Sequence, residues 1–121
     1  AEGRELLSAP RIDAPTLRDL LDSDAATVID VRGATEYAAG HLPGSRNIPL
    51  GYLARRIDEV PVYGPVIVHC QSGTRSPIAA SLLAAHGRRN VRDFTGGIDA
   101  WRGAQFTLDH AAEPATALAT R

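Results

Sequence analysis

Apolar and polar positions along the chain alternate between two periods. Asp13 is a candidate N-cap with Pro15 in the first turn, and Leu17, Leu20 and Leu21 then fall on one helical face. Thr27-Val28-Ile29-Asp30-Val31 is a continuous, largely β-branched run that reads as a buried strand. Residues 35–39 predict a short helix stopped by Gly40, Pro43-Gly44 a turn, residues 46–48 a short strand, and residues 50–60 a further helix. Pro65 precedes a compact apolar strand, Val66-Ile67-Val68-His69. Ser76 is expected to cap the next helix, with Pro77 at its first position, a buried face of Ile78, Ser81, Leu82 and Ala85, and Gly87 at its end. Residues 91–94 read as another strand, and Gly96-Gly97 as a turn before a last short helix that carries Trp101. Strands alternating with helices predict an α/β domain with a mainly parallel sheet. Sites in such sheets form at the carboxyl ends of strands, which is where Cys70 falls.

The flanks lack this order. Residues 1–11 read as an N-terminal arm, 12–108 as the domain, and 109–121, rich in Ala and Thr, as a flexible tail. A chain that starts at Ala1 and contains no Met reads as processed or as cut from a longer protein. Its 121 residues suit one domain with a real core, and 44% hydrophobic and 22% charged residues are ordinary for a globular chain. The net charge of −1 gives no reason to expect nucleic acid or an anionic membrane as partner. No run approaches the ~18 apolar residues of a membrane span. All thirteen basic residues are Arg, so no lysine nucleophile or Schiff base is available. The single cysteine excludes an internal disulfide, and a lone working thiol fits a reducing cytoplasm. One Cys and four scattered His give no zinc-ligand spacing.

Chemistry concentrates at Cys70. A buried strand delivers it to a polar loop, Cys70-Gln71-Ser72-Gly73-Thr74-Arg75, and a helix begins at once with Ser76. Loop amides can converge on an anion, the helix points its positive end at the same place, and Arg75 offers a guanidinium able to hold an oxyanion. Each effect favours thiolate over thiol. Gly73 is expected where the loop turns sharply and a Cβ would be costly. A buried Cys can instead be a small core hydrophobe, but its neighbours Gly73, Arg75, Ser76 and Pro77 favour a nucleophile.

Three segments together resemble the rhodanese family. They are Asp30-Val31-Arg32 with Glu36-Tyr37 and Gly40-His41-Leu42-Pro43-Gly44-Ser45-Arg46-Asn47-Ile48-Pro49, then Cys70 through Ser76, then Gly96-Gly97-Ile98-Asp99-Ala100-Trp101. The resemblance implies a five-stranded parallel sheet flanked by helices on both faces. It also implies a ping-pong sulfurtransferase with Cys70 as the catalytic nucleophile and Gln71, Ser72, Gly73, Thr74, Arg75 and Ser76 as the substrate-binding loop. The donor would be thiosulfate or a low-molecular-weight persulfide, the carrier a Cys70 persulfide, and the acceptor cyanide, a thiol or a protein thiol. No cofactor or metal is required. The loop is also similar to that of rhodanese domains fused to persulfide dioxygenases, which makes such an enzyme a candidate partner.

Other polar residues have two readings. Asp30 and Arg32 could line the pocket, but a buried ion pair or loop anchor is the simpler expectation, with Glu36 as the partner of Arg32. His41 reads as a turn cap rather than a general base. His69 should point to the face opposite Cys70 and be structural. Trp101 reads as packing, and Gly96 and Gly97 as points of close approach to the loop. Two other functions compete. A Cys-dependent phosphatase also places an Arg after its Cys loop, but only four residues separate Cys70 from Arg75, one fewer than such enzymes use, and no Asp is placed as general acid. The other is a non-catalytic sulfur-relay or regulatory domain.

Overall fold

In the computed structural model, residues 9–110 are described. Asp13 caps α1 (Ala14–Asp22), its carboxylate accepting the Thr16 N–H at 3.0 Å, with Pro15 in the first turn. There follow β1 (Thr27–Asp30), α2 (Ala34–Ala39), β2 (Arg46–Asn47), two 3-10 turns (Leu50–Tyr52 and Ile57–Glu59), β3 (Val66–His69), α3 (Ser76–Ala85), β4 (Val91–Asp93) and α4 (Gly97–Gly103). The strands form one parallel sheet in the order β2-β1-β3-β4, with Val28 opposite Ile67, Ile29 opposite Arg46 and Val68 opposite Asp93.

The sheet is covered on both faces because successive side chains alternate across it. Ile29, Val66 and Val68 pack with Ala79, Ala80 and Leu83 of α3. Val28 and Ile67 pack with Leu17 of α1 and with Ile98 and Trp101 of α4. Each large side chain so buried contributes roughly 1.5–3 kcal/mol before entropy is counted.

The α/β fold with a flanked parallel sheet is as expected, but among the described residues the sheet has four strands rather than five. The fifth position holds only a bridge from Arg11 to Asp93. There the Pro10 carbonyl accepts the Asp93 N–H at 2.9 Å, and Ile12 N–H donates to Asp93 O at 3.3 Å. Pro10 has no N–H to extend the ladder, and Asp13 already caps α1. At the other end, Asp109 and His41 exchange reciprocal backbone hydrogen bonds at 2.8 Å, one residue beyond the boundary drawn at 108. The rest of the expected arm and tail, residues 1–8 and 111–121, lies outside the described residues. Among the described residues no helix is long and apolar enough to cross a membrane.

Two elements differ from expectation. Residues 50–60 form 3-10 turns, not one helix. Their end is fixed from a distance: Arg46 donates to Glu59 O at 3.0 Å, and Arg88 to the carbonyls of Ile57 and Val60 at 2.8 Å each. These guanidinia take carbonyls that a longer helix would have used internally. In α3 the buried face is Ser76, Ala79, Ala80 and Leu83, whereas Ile78 is 57% exposed. Apart from Ser81, residues 78–85 are apolar, so periodicity does not select a face. Small side chains at 79 and 80 let the helix lie close to β3. Helix α3 also starts one residue early, with Arg75 at the N-cap and Ser76 and Pro77 inside the first turn.

Candidate active site

β3 ends at His69, and the chain turns immediately around the Cys70 sulfur. The backbone N–H groups of Gly73 and Arg75 donate to Sγ at 3.2 and 3.3 Å. Burial pushes the thiol up. The backbone amides of Arg75, Ser76 and Gly73 outweigh it, and the thiol lies below its ordinary value. Alkylation by a small reagent is therefore expected to titrate with a midpoint below the free-cysteine value of about 8.5. A wild-type midpoint at or above the free value would refute the donor arrangement.

The sulfur sits beneath its loop. Cys70 has no exposed surface, while Ser72 and Thr74 on the loop crest are exposed. Gly73 adopts φ +108°, and a Cβ there would stand 2.7 Å from the Thr95 carbonyl. Gly97 adopts φ +59°, and its Cβ would stand 2.3 Å from Cys70 O and 2.6 Å from Gln71 O. The expected close approach is therefore made by Gly97. The first turn of α4 docks on the loop here: Ile98 N–H donates to Cys70 O and Asp99 N–H to Gln71 O, both at 3.1 Å.

Asp30 and Arg32 are buried in an ion pair, with each other. Arg32 Nε lies 3.0 Å from both carboxylate oxygens of Asp30, Nη2 lies 2.7 Å from Oδ2, and the Arg32 backbone N–H adds a further bond at 2.9 Å. Nη2 also donates to Gly40 O at 2.7 Å, and Nη1 reaches Gln71 Oε1 at 3.2 Å. Gln71 Nε2 in turn donates to Asp99 at 2.8 Å. Asp30 and Arg32 thus anchor the first residue after Cys70 without touching the sulfur.

The partner expected for Arg32 was Glu36, and this is corrected. With Asp30 two residues away filling the guanidinium fork, Glu36 binds Arg75 instead, at 2.8 and 3.1 Å. Its Oε1 also accepts the Gly33 N–H at 2.9 Å, the glutamate half of a capping box at the start of α2. The spacing of Gly33 and Glu36 was the available signal for that cap, but nothing local indicated the partner across the site. The hydrogen bond from Arg75 is the main cause that brings the Glu36 carboxyl down to about 2, against the cost of its burial. A depressed acid stabilises the fold above its unfolded value of 4.5, and that contribution is lost as pH falls through about 2. Denaturant titrations should therefore show the wild-type protein losing stability relative to Glu36→Gln between these limits.

The histidines are structural. His69 is fully buried on the face opposite Cys70, its ring edge-on to Phe94, and Nδ1 donates to Cys70 O at 3.0 Å. Burial lowers its pKa, so the ring is neutral, and Nε2, 3.8 Å from Asp30 Oδ2, has no hydrogen-bond partner. His41 stacks on Tyr37 with ring centres 3.8 Å apart and holds Tyr37 O through Nδ1 at 2.9 Å. Trp101 packs against Phe94 and Phe106 and donates to Thr107 O at 2.8 Å. Sequence reasoning gave no role to Asp93. It is buried beneath the loop with Oδ1 unpartnered, and burial raises its carboxyl. Among the described residues no cluster of His, Cys, Asp and Glu is placed to hold a metal ion.

Comparison with known proteins gives a consistent picture. Residues 13–104 match the rhodanese-like domain family. The uncharacterized protein YqhL of Bacillus subtilis is 40% identical over 78 residues, which is 64% of this chain and 62% of that protein. The thiosulfate sulfurtransferase GlpE of Pseudoalteromonas translucida is 35% identical over 86 residues, 71% of this chain and 82% of the relative. The structure of the human single-domain sulfurtransferase TSTD1 superposes with a TM-score of 0.70 at 29% identity, covering 78% of this chain and 96% of that one. The chain thus spans under two thirds of YqhL but most of GlpE and TSTD1.

Proposed function

We propose that this chain, which belongs to the rhodanese-like domain family, is a sulfurtransferase that carries sulfane sulfur as a persulfide on Cys70. The observation that carries the reading is the pair of loop amides, from Gly73 and Arg75, aimed at a sulfur whose pKa they help to lower. Gln71 through Ser76 form the binding loop in this reading, with Asp30 and Arg32 as its anchor. The Cys70 thiolate attacks the outer sulfur of thiosulfate or a low-molecular-weight persulfide. A bond forms between Sγ and that sulfur, the donor's S–S bond breaks, and the electron pair leaves on sulfite or a thiolate. Cyanide or a thiol then takes the outer sulfur and returns Cys70 as thiolate. The amides serve both steps because negative charge stays near the loop throughout. This covalent route needs no cofactor. Because Cys70 is fully buried, transfer needs a local displacement of its cover.

Two features weigh against the phosphatase alternative. Four residues separate Cys70 from Arg75, and the guanidinium that would clamp a phosphate is held by Glu36. A protein thiol as acceptor, a fused or separate persulfide dioxygenase as partner and a reducing cytoplasm as setting belong to the same proposal.

Thiosulfate is expected to add about 32 Da, one covalently carried sulfur, to the intact chain. Cyanide should remove it. Mass spectrometry that finds no adduct with thiosulfate or with an alkyl persulfide would sink the reading.

A further inference from the structure

The two arginines that reach the Cys70 loop through hydrogen bonds or belong to it, Arg32 and Arg75, are each matched by a carboxylate. Arg32 is sealed against Asp30, with 4% and 0% of their side chains exposed. Arg75 meets Glu36 at the surface, with 35% and 40% exposed, where a donor can reach both. A third carboxylate, Asp99, is exposed and bound to Gln71 Nε2 at 2.8 Å. The loop therefore offers an anionic donor backbone N–H groups, while Arg32 and Arg75 already carry carboxylate partners.

Glu36 cannot simply swing away when a donor arrives. Its Oε1 is tied to the Gly33 N–H at 2.9 Å as well as to Arg75. If a donor oxyanion takes the Arg75 guanidinium, the Glu36 carboxylate stays nearby without its counter-ion. The cost of that exchange grows with donor charge. Thiosulfate brings two negative charges to a loop whose Arg75 is already paired with this carboxylate, whereas an ionised persulfide or a thiosulfonate brings one to the reacting end.

We propose that Glu36 is a specificity-determining residue that competes with the donor for Arg75, biasing the site against dianionic donors and toward sulfane-sulfur donors that carry a single charge at the reacting end. The inference rests on Cys70 being the sulfur acceptor. The chemistry is balanced for either donor. Sγ forms a bond to the outer sulfur, the donor S–S bond breaks, and the leaving pair departs on sulfite from thiosulfate or on methanesulfinate from methanethiosulfonate. No oxidant or reductant is consumed.

The experiment compares these two donors, which present the same sulfur–sulfur linkage with one unit of charge between them. Thiocyanate formation with cyanide gives kcat/KM for each, and the thiosulfate-to-methanethiosulfonate ratio is the readout. Glu36→Gln keeps an oxygen to accept the Gly33 N–H and is expected to raise the ratio about tenfold. Asp99→Asn should raise it by a smaller factor of about two to three. Raising ionic strength should lift the wild-type ratio and affect Glu36→Gln less, a dependence that a purely structural role would not produce. An unchanged or lower ratio in a folded Glu36→Gln protein overturns the proposal. If that variant does not fold, the ionic-strength dependence of the wild-type ratio decides, and its absence overturns the proposal. If the wild-type chain gains sulfur from neither donor, the sulfurtransferase reading itself has failed. If it gains sulfur from both and the ratio does not move, only the role of Glu36 has failed.

Discussion

Cys70→Ser is expected to lower sulfur transfer to cyanide by at least about 10³-fold, the scale seen when a covalent nucleophile is removed. The loss should be chemical rather than structural. A serine oxygen is close in size to sulfur and can accept the same Gly73 and Arg75 amides, so the fold should lose only about 1 kcal/mol. Its hydroxyl, however, is not ionised by the surroundings that lower a thiol, and it has little affinity for sulfane sulfur. Turnover assays set beside denaturant melts separate the two effects. Residual activity above about a tenth of wild type would mean that sulfur passes through the protein without bonding to Cys70.

Gly97→Ala should have the second-largest effect, with a loss of more than about 3 kcal/mol of stability and of most transfer activity. The φ of +59° alone costs a non-glycine residue about 1–2 kcal/mol. The added methyl would also stand 2.3 and 2.6 Å from two backbone oxygens, which cannot rotate aside as a side chain can. Either α4 lifts off the loop or the loop moves, and both disturb the amides around Sγ. Denaturation and the pH profile of thiol alkylation test the two halves of the claim. Wild-type stability together with a wild-type alkylation midpoint would show that the contact is not structural.

Features encoded locally were legible in the sequence. The Asp13 cap, the β-branched runs of β1 and β3, and the polar loop between Cys70 and the next helix each depend on residues adjacent in the chain, and their patterns name the element directly. What was hidden depends on partners far away in sequence. The turns between 50 and 60 are ended by guanidinia from Arg46 and Arg88. The buried face of α3 is chosen by the strand beneath it, because residues 78–85 are apolar apart from Ser81. The Glu36–Arg75 pair spans 39 residues, and pairing by proximity in sequence assigned Glu36 to Arg32 instead. That Asp30 and Arg32 are buried and paired was anticipated, but their pairing with each other, two positions apart, was not.

The docking of α4 on the loop sorts the loop's dipoles. A tight turn around an ion normally presents carbonyl oxygens as readily as amides, and oxygens facing an anion would repel it. Here the oxygens of Cys70 and Gln71 are occupied from outside by the first amides of α4, with His69 as a second donor to Cys70 O. With those two oxygens engaged, the Gly73 and Arg75 amides set a positive polarity at the sulfur. That polarity is fixed by the fold rather than by a side chain that can reorient, so the field at the sulfur keeps its sign whether the charge sits on Sγ or about 2 Å farther out on a second sulfur.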